Sequence, residues 1–350
     1  MPSPAATYSW TDLNPSTFLL SGGRGVCANQ QVGGGIGPAT PNAYHALLWS
    51  GASTTVVDLN PSGFQQTDAY GTSGSQQLGY GYGSATGNNN HALLWSGTAN
   101  SVVDLNPSGF ASSYGFGIGG PQQVGYGFLP GGAYHALLWF GTASSGRDLN
   151  PAGFSGSAAR ATSGTQQVGS GFGPGTGSYS HALLWAGAAS SAIDLNPPGF
   201  TSSLAFGISA DQQVGYGGGP AAGNGTHALL WSGGAATAVD LNPLGFTSSY
   251  AYGVAADRQA GYGIAPAGDY HALVWSGTAS SAVDLQSFLP PTYNYSEALA
   301  IADNGNVFGF ATYIPTGESH AILWVEVPEP SETALLVGGG LALTVRRRKR

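Results

Sequence analysis

Seven histidines and a set of repeated aspartates are the residues of this 350-residue chain whose types and spacing could do chemistry. Each histidine begins the motif His-Ala-Leu-Leu-Trp or a close variant, and in the first six motifs an Asp follows the Trp by nine residues. The histidines are His45, His91, His135, His181, His227, His271 and His320. The aspartates are Asp12, Asp58, Asp104, Asp148, Asp194, Asp240 and Asp284. A ring of imidazoles could bind a metal ion, and the Asp-Leu-Asn segments could offer oxygen ligands to calcium.

Neither metal site is favoured by this pattern. A metal site takes three or four ligands rather than seven equivalent ones, and calcium needs six to eight oxygens, usually with several carboxylates. We predict instead that each His forms a buried hydrogen bond, for which the Asp of its unit is a candidate partner. Asp-Leu-Asn-Pro is predicted to form a turn, and the motif Trp is predicted to pack between units. No cofactor and no metal ion is predicted.

Polar residues that interrupt the repeat are few and widely separated. They are Asp68, Asp211, Asp257, Asp269, Arg147, Arg160 and Arg258. A catalytic site combines converging polar groups, and this set shows no carboxylate pair and no nucleophile–base pair in sequence. The chain is therefore predicted not to be an enzyme. The alternative, a polysaccharide hydrolase or lyase on the same frame, would require Asp211, Asp257 or Asp269 beside another carboxylate in a deep pocket.

Composition restricts both the fold and the partners. With 58 glycines and only 7% charged residues, a helical or α/β enzyme is disfavoured, whereas 42% hydrophobic residues are ample for a packed β-structure. The net charge is −8, and five of the nine basic residues stand at positions 346–350, so no basic surface for nucleic acid is expected. Cys27 is the single cysteine, which excludes an intrachain disulfide.

The repeat period predicts the fold. Successive motif histidines are 46, 44, 46, 46, 44 and 49 residues apart, and each period holds four short candidate strands bounded by Gly, Pro, Asn or Ser. Four strands in about 45 residues are typical of one propeller blade. Seven histidine motifs therefore predict an all-β, seven-bladed β-propeller of four-stranded blades. A monomer is expected.

The two ends of the repeat region predict how the ring closes. The last unit stops after Trp324 without an Asp-Leu-Asn strand, and the chain begins with such a strand at residues 7–14, which align with residues 53–60. We predict that this N-terminal strand completes the last blade, because pairing buries two otherwise exposed sheet edges. The predicted domains are an N-terminal stub at 1–6, the propeller at 7–325 and a separate segment at 326–350.

The C-terminal segment has three parts. A polar box comprises Val327, Pro328, Glu329, Pro330 and Ser331. An apolar stretch follows at 334–345, and its 12 residues, about 18 Å as a helix, are too short alone for a hydrocarbon core of about 30 Å. The chain ends in a basic run of Arg346, Arg347, Arg348, Lys349 and Arg350. This order predicts a short apolar helix that is held transiently in a membrane, with the basic stop-transfer end in the cytoplasm.

This segment resembles the bacterial PEP-CTERM sorting signal in both its polar box and its arginine-rich end. The resemblance implies that an exosortase recognises the segment and cleaves it near the box, with release or anchoring at the cell surface or in the exopolysaccharide matrix of a Gram-negative-type bacterium. The repeats resemble the extracellular HAF family, in which His-Ala-Phe-Leu-Trp stands where this chain has His-Ala-Leu-Leu-Trp, and residues 301–309 approach that family's Asn-x-Gly-x-Val-Val-Gly pattern. The HAF resemblance implies no catalytic residues.

Together these features predict an exported, non-enzymatic surface or matrix protein that acts as a scaffold or as a module binding glycans or proteins. The expected partners are an exosortase and a polysaccharide or other surface proteins. Exported proteins carry an N-terminal signal with a basic region and an apolar core, and residues 1–7 have neither. Either the natural start lies further upstream, which we favour, or export follows another route.

Overall fold

The computed structural model of the chain describes residues 6–37, 40, 43–223 and 225–327. It contains seven four-stranded antiparallel sheets, and the first strands of all seven line one central channel. The prediction of a seven-bladed all-β propeller is thus confirmed. The predicted C-terminal helix, the basic run and all of the sorting box except Val327 lie outside the described residues.

The strands follow one another blade by blade along the chain. The first is β1 (Thr7–Asp12), which belongs to blade 7. Blade 1 contains β2 (Leu20–Cys27), β3 (Gln30–Ile36), β4 (His45–Ser50) and β5 (Val56–Asp58). Blade 2 contains β6 (Gln66–Thr72), β7 (Gln77–Tyr82), β8 (His91–Trp95) and β9 (Val103–Asp104). Blade 3 contains β10 (Ser112–Gly119), β11 (Gln122–Phe128), β12 (Tyr134–Trp139) and β13 (Arg147–Asp148).

The second half of the ring has the same order. Blade 4 contains β14 (Gly156–Thr162), β15 (Gln167–Phe172), β16 (His181–Trp185) and β17 (Ile193–Asp194). Blade 5 contains β18 (Ser202–Ser209), β19 (Gln212–Gly218), β20 (Thr226–Trp231) and β21 (Val239–Asp240). Blade 6 contains β22 (Ser248–Ala255), β23 (Arg258–Ile264), β24 (Tyr270–Trp275) and β25 (Val283–Asp284). Blade 7 contains β26 (Tyr293–Ile301), β27 (Val307–Tyr313) and β28 (Glu318–Val327) together with β1.

Helical structure in the described part of the chain consists of short 3₁₀ turns in the connections. They are Ser84–Thr86, Ala99–Ser101, Ala143–Ser145, Pro174–Thr176, Ala189–Ser191, Pro220–Ala222, Ala235–Thr237, Ala279–Ser281 and Leu285–Phe288. None of the helices within the described ranges has the length and apolar character needed to cross a membrane.

The N-terminal strand closes the ring as predicted. β1 pairs antiparallel with β28, with Trp10 opposite Trp324 and Asp12 opposite Ile322. Leu13, which is 0% exposed, continues the ladder with a backbone hydrogen bond of 2.8 Å to Ala321. The first strand of the chain therefore forms the outer edge of the last blade.

The hydrophobic core lies between neighbouring blades. The third strand of each blade is apolar on both faces, and in blade 2 residues 92–95 are at most 3% exposed. Trp95 packs against Leu48 and Leu59 of blade 1, and the motif Trp of every blade is fully buried. The predicted role of the repeated Trp in packing between units is confirmed.

The His and Asp of each unit form a hydrogen bond at the edge of this core. The Nδ1 atom of His91 lies 2.6 Å from Oδ2 of Asp104, and the other six pairs have distances of 2.6–2.7 Å. A carboxylate only accepts, so Nδ1 carries the proton. The pairs of blades 1 to 5 are exposed, with the Asp104 side chain 46% exposed, and those of blades 6 and 7 are half-buried, so the predicted burial of this hydrogen bond is wrong for most units. In blade 7 the partner of His320 is Asp12 of β1.

The Asp-Leu-Asn-Pro segment connects one blade to the next. The backbone N–H of Asn60 donates to Asp58, which forms the predicted turn. The Asn60 side-chain oxygen accepts from Thr67 in the first strand of blade 2, and Thr67 in turn accepts from the backbone N–H of Ala46. These polar groups fix the position of the next inner strand, while Gly63 turns the chain at φ +85°.

Candidate functional site

A β-bulge in each inner strand directs one side chain into the central channel. The register of β2 against β3 shifts between Gly23 and Gly25, and corresponding shifts occur in the other six blades. A bulge redirects the extra residue away from the regular alternation of the strand. The bulged residues, here called the bulge ring, are Arg24, Tyr70, Phe116, Arg160, Phe206, Tyr252 and Leu299, and all seven line the channel.

The channel encloses about 400 Å³, a volume in the range of ligand-binding pockets. The residue two positions after each bulged residue also lines the channel. These residues have β-branched side chains, such as Val26, Thr72 and Ile118. The bulge ring itself is not symmetric, because it combines two arginines with four aromatic residues and one leucine. The seven repeats are therefore alike in their packing and different in the channel.

Two carboxyl groups lie near the channel on the two blades that flank blade 1, Glu297 in the channel wall and Asp68 in an adjoining cavity. Asp68 and Glu297 each stand two residues before the bulged residue of their strand, in blades 2 and 7. Blade 1 lies between them and has Gly22 at the corresponding position. A Cβ atom added at Gly22 would meet nothing within 4 Å. The missing side chain leaves open space between the two acidic strands.

A second glycine in blade 1 makes room for one of these carboxyl groups. A Cβ atom added at Gly34 would lie 2.6 Å from Oδ1 of Asp68 and 2.9 Å from the ring of Tyr44. Tyr80 and Tyr126 occupy the corresponding position in blades 2 and 3. The space enclosed here is a second cavity of about 300 Å³ next to the channel.

Arg24 is the cation of this acidic region. Its Nε atom lies 3.8 Å from Oδ2 of Asp68, too far for a hydrogen bond. Neither Nε of Arg24 nor Oδ1 of Asp68 has a hydrogen-bond partner within the described residues, although Asp68 is only 9% exposed. A buried charge without its full set of hydrogen bonds is costly, which is typical of a site that a ligand completes.

Burial controls the ionisation of both acids. It raises the pKa of Glu297 to about 7, while Arg24 lowers it to a smaller extent. Burial also raises the pKa of Asp68 against the opposing charge of Arg24. Because the pKa of Glu297 lies near neutrality, this carboxyl group can both donate and accept a proton under physiological conditions.

Aromatic side chains extend from the channel in two clusters separated by the arginines. The first runs from Tyr70 through Phe116 to Phe172 in blade 4, with successive ring centroids 5.0–5.8 Å apart. The second runs from Phe206 in blade 5 to Tyr295 in blade 7, with spacings of 4.9–6.0 Å. The channel thus offers aromatic faces together with a few charged groups, a combination suited to a polar organic ligand.

The polar residues singled out from the sequence are only partly brought together. Arg160 lies in the channel wall and Asp68 lines the adjoining second cavity, whereas Asp211, Asp257 and Asp269 are exposed in connections between strands. Arg258 pairs with Glu326 beside the closing strand, and the guanidinium of Arg147 lies over Phe140. No group of three His, Cys, Asp or Glu side chains positioned for a metal ion occurs among the described residues.

Sequence reasoning missed the grouping of Arg24, Asp68 and Glu297. A signal was present, because Arg24 stands 46 residues before Tyr70, at an equivalent repeat position, and a charged residue there departs from the aromatic pattern. Aligning the inner strands position by position would have placed all three residues on one wall. Only the bulge, however, shows which of these positions faces the channel.

Comparison with solved structures supports the fold. The β-propeller domain of the Trilobed protease from Pyrococcus furiosus has a TM-score of 0.57 at 8% identity, over 91% of this chain and 95% of that one. A puromycin hydrolase mutant has a TM-score of 0.56 at 10% identity, over 91% of this chain. The acylaminoacyl peptidase of Pyrococcus horikoshii has a TM-score of 0.54 at 10% identity, over 94% of this chain. The chain spans about half of each, 55% in both cases. No protein-family model matches the sequence, and a search of curated proteins finds no match.

These comparisons correct one prediction. The chain was predicted not to be an enzyme, but solved structures with its fold include a puromycin hydrolase and an acylaminoacyl peptidase. At such low identity the likeness shows the fold alone, and this fold occurs within hydrolytic enzymes. The prediction relied on the absence of a carboxylate pair or a nucleophile–base pair in the sequence, and such an absence does not exclude a fold that also occurs in enzymes.

Proposed function

We propose that the propeller binds a saccharide in its central channel. The observation that carries the proposal is the break in sevenfold symmetry in and next to the bulge ring, where Arg24, Asp68 and Glu297 lie beside aromatic side chains. Aromatic rings stack on the apolar faces of sugar rings, and carboxyl and guanidinium groups exchange hydrogen bonds with hydroxyl groups. The open space at Gly22 gives a ligand access to these polar groups.

Replacing a bulge-ring aromatic side chain should weaken saccharide binding. We expect Phe206→Ala and Tyr252→Ala each to reduce affinity for a bound oligosaccharide by about 3- to 10-fold, because each removes one stacking surface. Isothermal titration calorimetry against a panel of oligosaccharides measures the effect. Tyr179→Ala is the matched control, since Tyr179 is 55% exposed outside the channel. Absence of binding across the panel, or equal losses in the control, would contradict a channel site.

A polysaccharide hydrolase or lyase is the second candidate, favoured by the pKa of Glu297. A carboxyl group that is partly protonated at neutral pH can act as a general acid, and Asp68 supplies a second carboxyl group on the other side of Gly22. We expect an enzyme to shorten a bound oligosaccharide, with the activity lost in Glu297→Gln. Mass spectrometry of the products decides between the candidates, because a pure binding protein leaves the oligosaccharide intact.

We further propose that the protein is exported and sorted through residues 327–350 to the cell surface or the exopolysaccharide matrix. The proposal rests on the resemblance of this segment to the PEP-CTERM signal and implies processing by an exosortase. A protein in the matrix would meet polysaccharide directly, which agrees with a saccharide site in the channel. Fractionation of cells that express the chain with and without residues 328–350 tests the sorting, since the shortened chain should fail to reach the surface fraction.

A further inference from the structure

Arg160 is the second cation of the bulge ring and differs from Arg24 in its surroundings. Its guanidinium lies 4.5 Å from the centroid of Phe116, 5.5 Å from that of Tyr126 and 5.6 Å from that of Phe206. These rings come from the two neighbouring blades, so the cation sits between the two aromatic clusters. Stacking of this kind holds a guanidinium through its faces and leaves the N–H groups at its edge available.

No acidic residue compensates Arg160 within the described part of the chain. Arg24 has Asp68 at 3.8 Å, and Arg258 forms an ion pair with Glu326, but no ion pair involves Arg160. Its Nε atom is buried and has no hydrogen-bond partner among the described residues. An uncompensated cation with a buried free donor, on the wall of a cavity of about 400 Å³, is suited to an anionic ligand group.

The shape of the guanidinium edge restricts that group. Its donors lie in one plane, and they match a planar acceptor with two oxygens, which a carboxylate provides. Blade 4 also has the small residues Ala158 and Ser170 where blade 3 has Tyr114 and Tyr126, so it contributes no ring of its own at this level. A carboxylate can therefore approach Arg160 from the channel.

We propose that Arg160 binds the carboxylate of a hexuronate residue within the saccharide ligand. The inference rests on the proposed saccharide-binding function and specifies its ligand class. A single carboxylate on an otherwise neutral sugar suits the chain better than a polyanion, because the protein carries a net charge of −8, Glu297 lines the same channel and Asp68 lines the adjoining cavity. The neutral part of the ligand would face these acids.

The test compares a neutral trisaccharide with the same trisaccharide containing one hexuronate residue. Wild-type protein should bind the hexuronate form at least about tenfold more tightly, the effect of one charge-assisted pair of hydrogen bonds. Arg160→Gln should remove this preference, so that the two trisaccharides bind with equal affinity. Arg160→Lys should retain only part of it, since an ammonium cannot make the paired contact. Arg147→Gln, at a cation that stacks on Phe140 outside the channel, should change neither affinity.

A ligand change provides the same test without altering the protein. The methyl ester of the hexuronate removes the negative charge, and wild-type protein should bind it only as tightly as the neutral trisaccharide. We expect sodium acetate and inorganic phosphate to compete only weakly with the hexuronate trisaccharide. Strong competition would show that the site binds anions in general and would overturn the saccharide assignment. Equal binding of neutral and hexuronate forms by wild-type protein would refute the role of Arg160 and leave the saccharide site standing. Absence of all saccharide binding would refute the proposed function itself.

Discussion

Deletion of residues 7–14 should abolish the cooperative unfolding transition of the propeller or lower its stability by at least about 5 kcal/mol. The deletion removes the ladder between β1 and β28 and exposes a sheet edge of blade 7. It also removes Leu13, which is fully buried against Leu47, Trp49 and Phe308. Thermal unfolding followed by circular dichroism measures the loss.

The same deletion leaves polar groups of the closure without partners. Asp12 accepts hydrogen bonds from His320 at 2.7 Å and from the Tyr293 hydroxyl at 2.6 Å, and the Trp49 indole N–H donates to the Leu13 carbonyl at 2.9 Å. The control is a permuted chain in which residues 7–14 follow Val327 through a short linker. Since Thr7 is opposite Val327 in the ladder, this hairpin can restore the strand and should recover most of the stability. An unchanged unfolding midpoint after the deletion would show that the ring does not depend on β1.

Gly215→Ala should destabilise the protein by about 3 kcal/mol or more, which lowers the unfolding midpoint by roughly 5–10 °C. A Cβ atom at this position would lie 1.9 Å from the carbonyl oxygen of Leu204 and 2.8 Å from Cα of Ala205. Both are backbone atoms of the adjacent inner strand, so no side-chain rotation can relieve the clash. The inner strand would have to move into the channel.

Gly218→Ala, in the same strand β19, is the matched control for this prediction. The nearest atoms to a Cβ at Gly218 are 3.9 Å away, an ordinary van der Waals contact. We expect its midpoint to stay within about 2 °C of the wild-type value. Equal destabilisation by the two substitutions would mean that backbone flexibility, and not the close approach of the two strands, explains the glycine at position 215.

The arrangement of the bulge ring shows how a repeated fold acquires one site. Residues that pack between blades recur in every unit, because each blade must fit the same two neighbours. The bulged residue contacts no such fixed partner and can differ from blade to blade. Arg24 and Arg160 therefore replace aromatic residues without disturbing the packing of the motif tryptophans, which remain fully buried in all seven blades.

The sequence by itself determined the number of blades and the closing strand, and it offered the Asp of each unit as a candidate partner of its His. Each of these depends on local hydrogen bonds and packing that recur in every unit, and recurrence is visible as a period of about 45 residues. Blade 7 illustrates this, because the missing Asp of the last unit could be found at Asp12 by alignment alone. The sequence did not show that the His–Asp pairs of blades 1 to 5 are exposed, since exposure depends on how far each strand lies from the ring axis.

Only the tertiary structure decided where the candidate site lies. Asp68 and Glu297 belong to the second and last blades, and they flank blade 1 only because ring closure places blades 7, 1 and 2 side by side. The direction of Arg24 and Arg160 depends on a β-bulge, which turns one residue out of the strand's alternation, so the alternation alone does not show which residue faces the channel. A charge that looks isolated along the chain can therefore be part of a cluster in space.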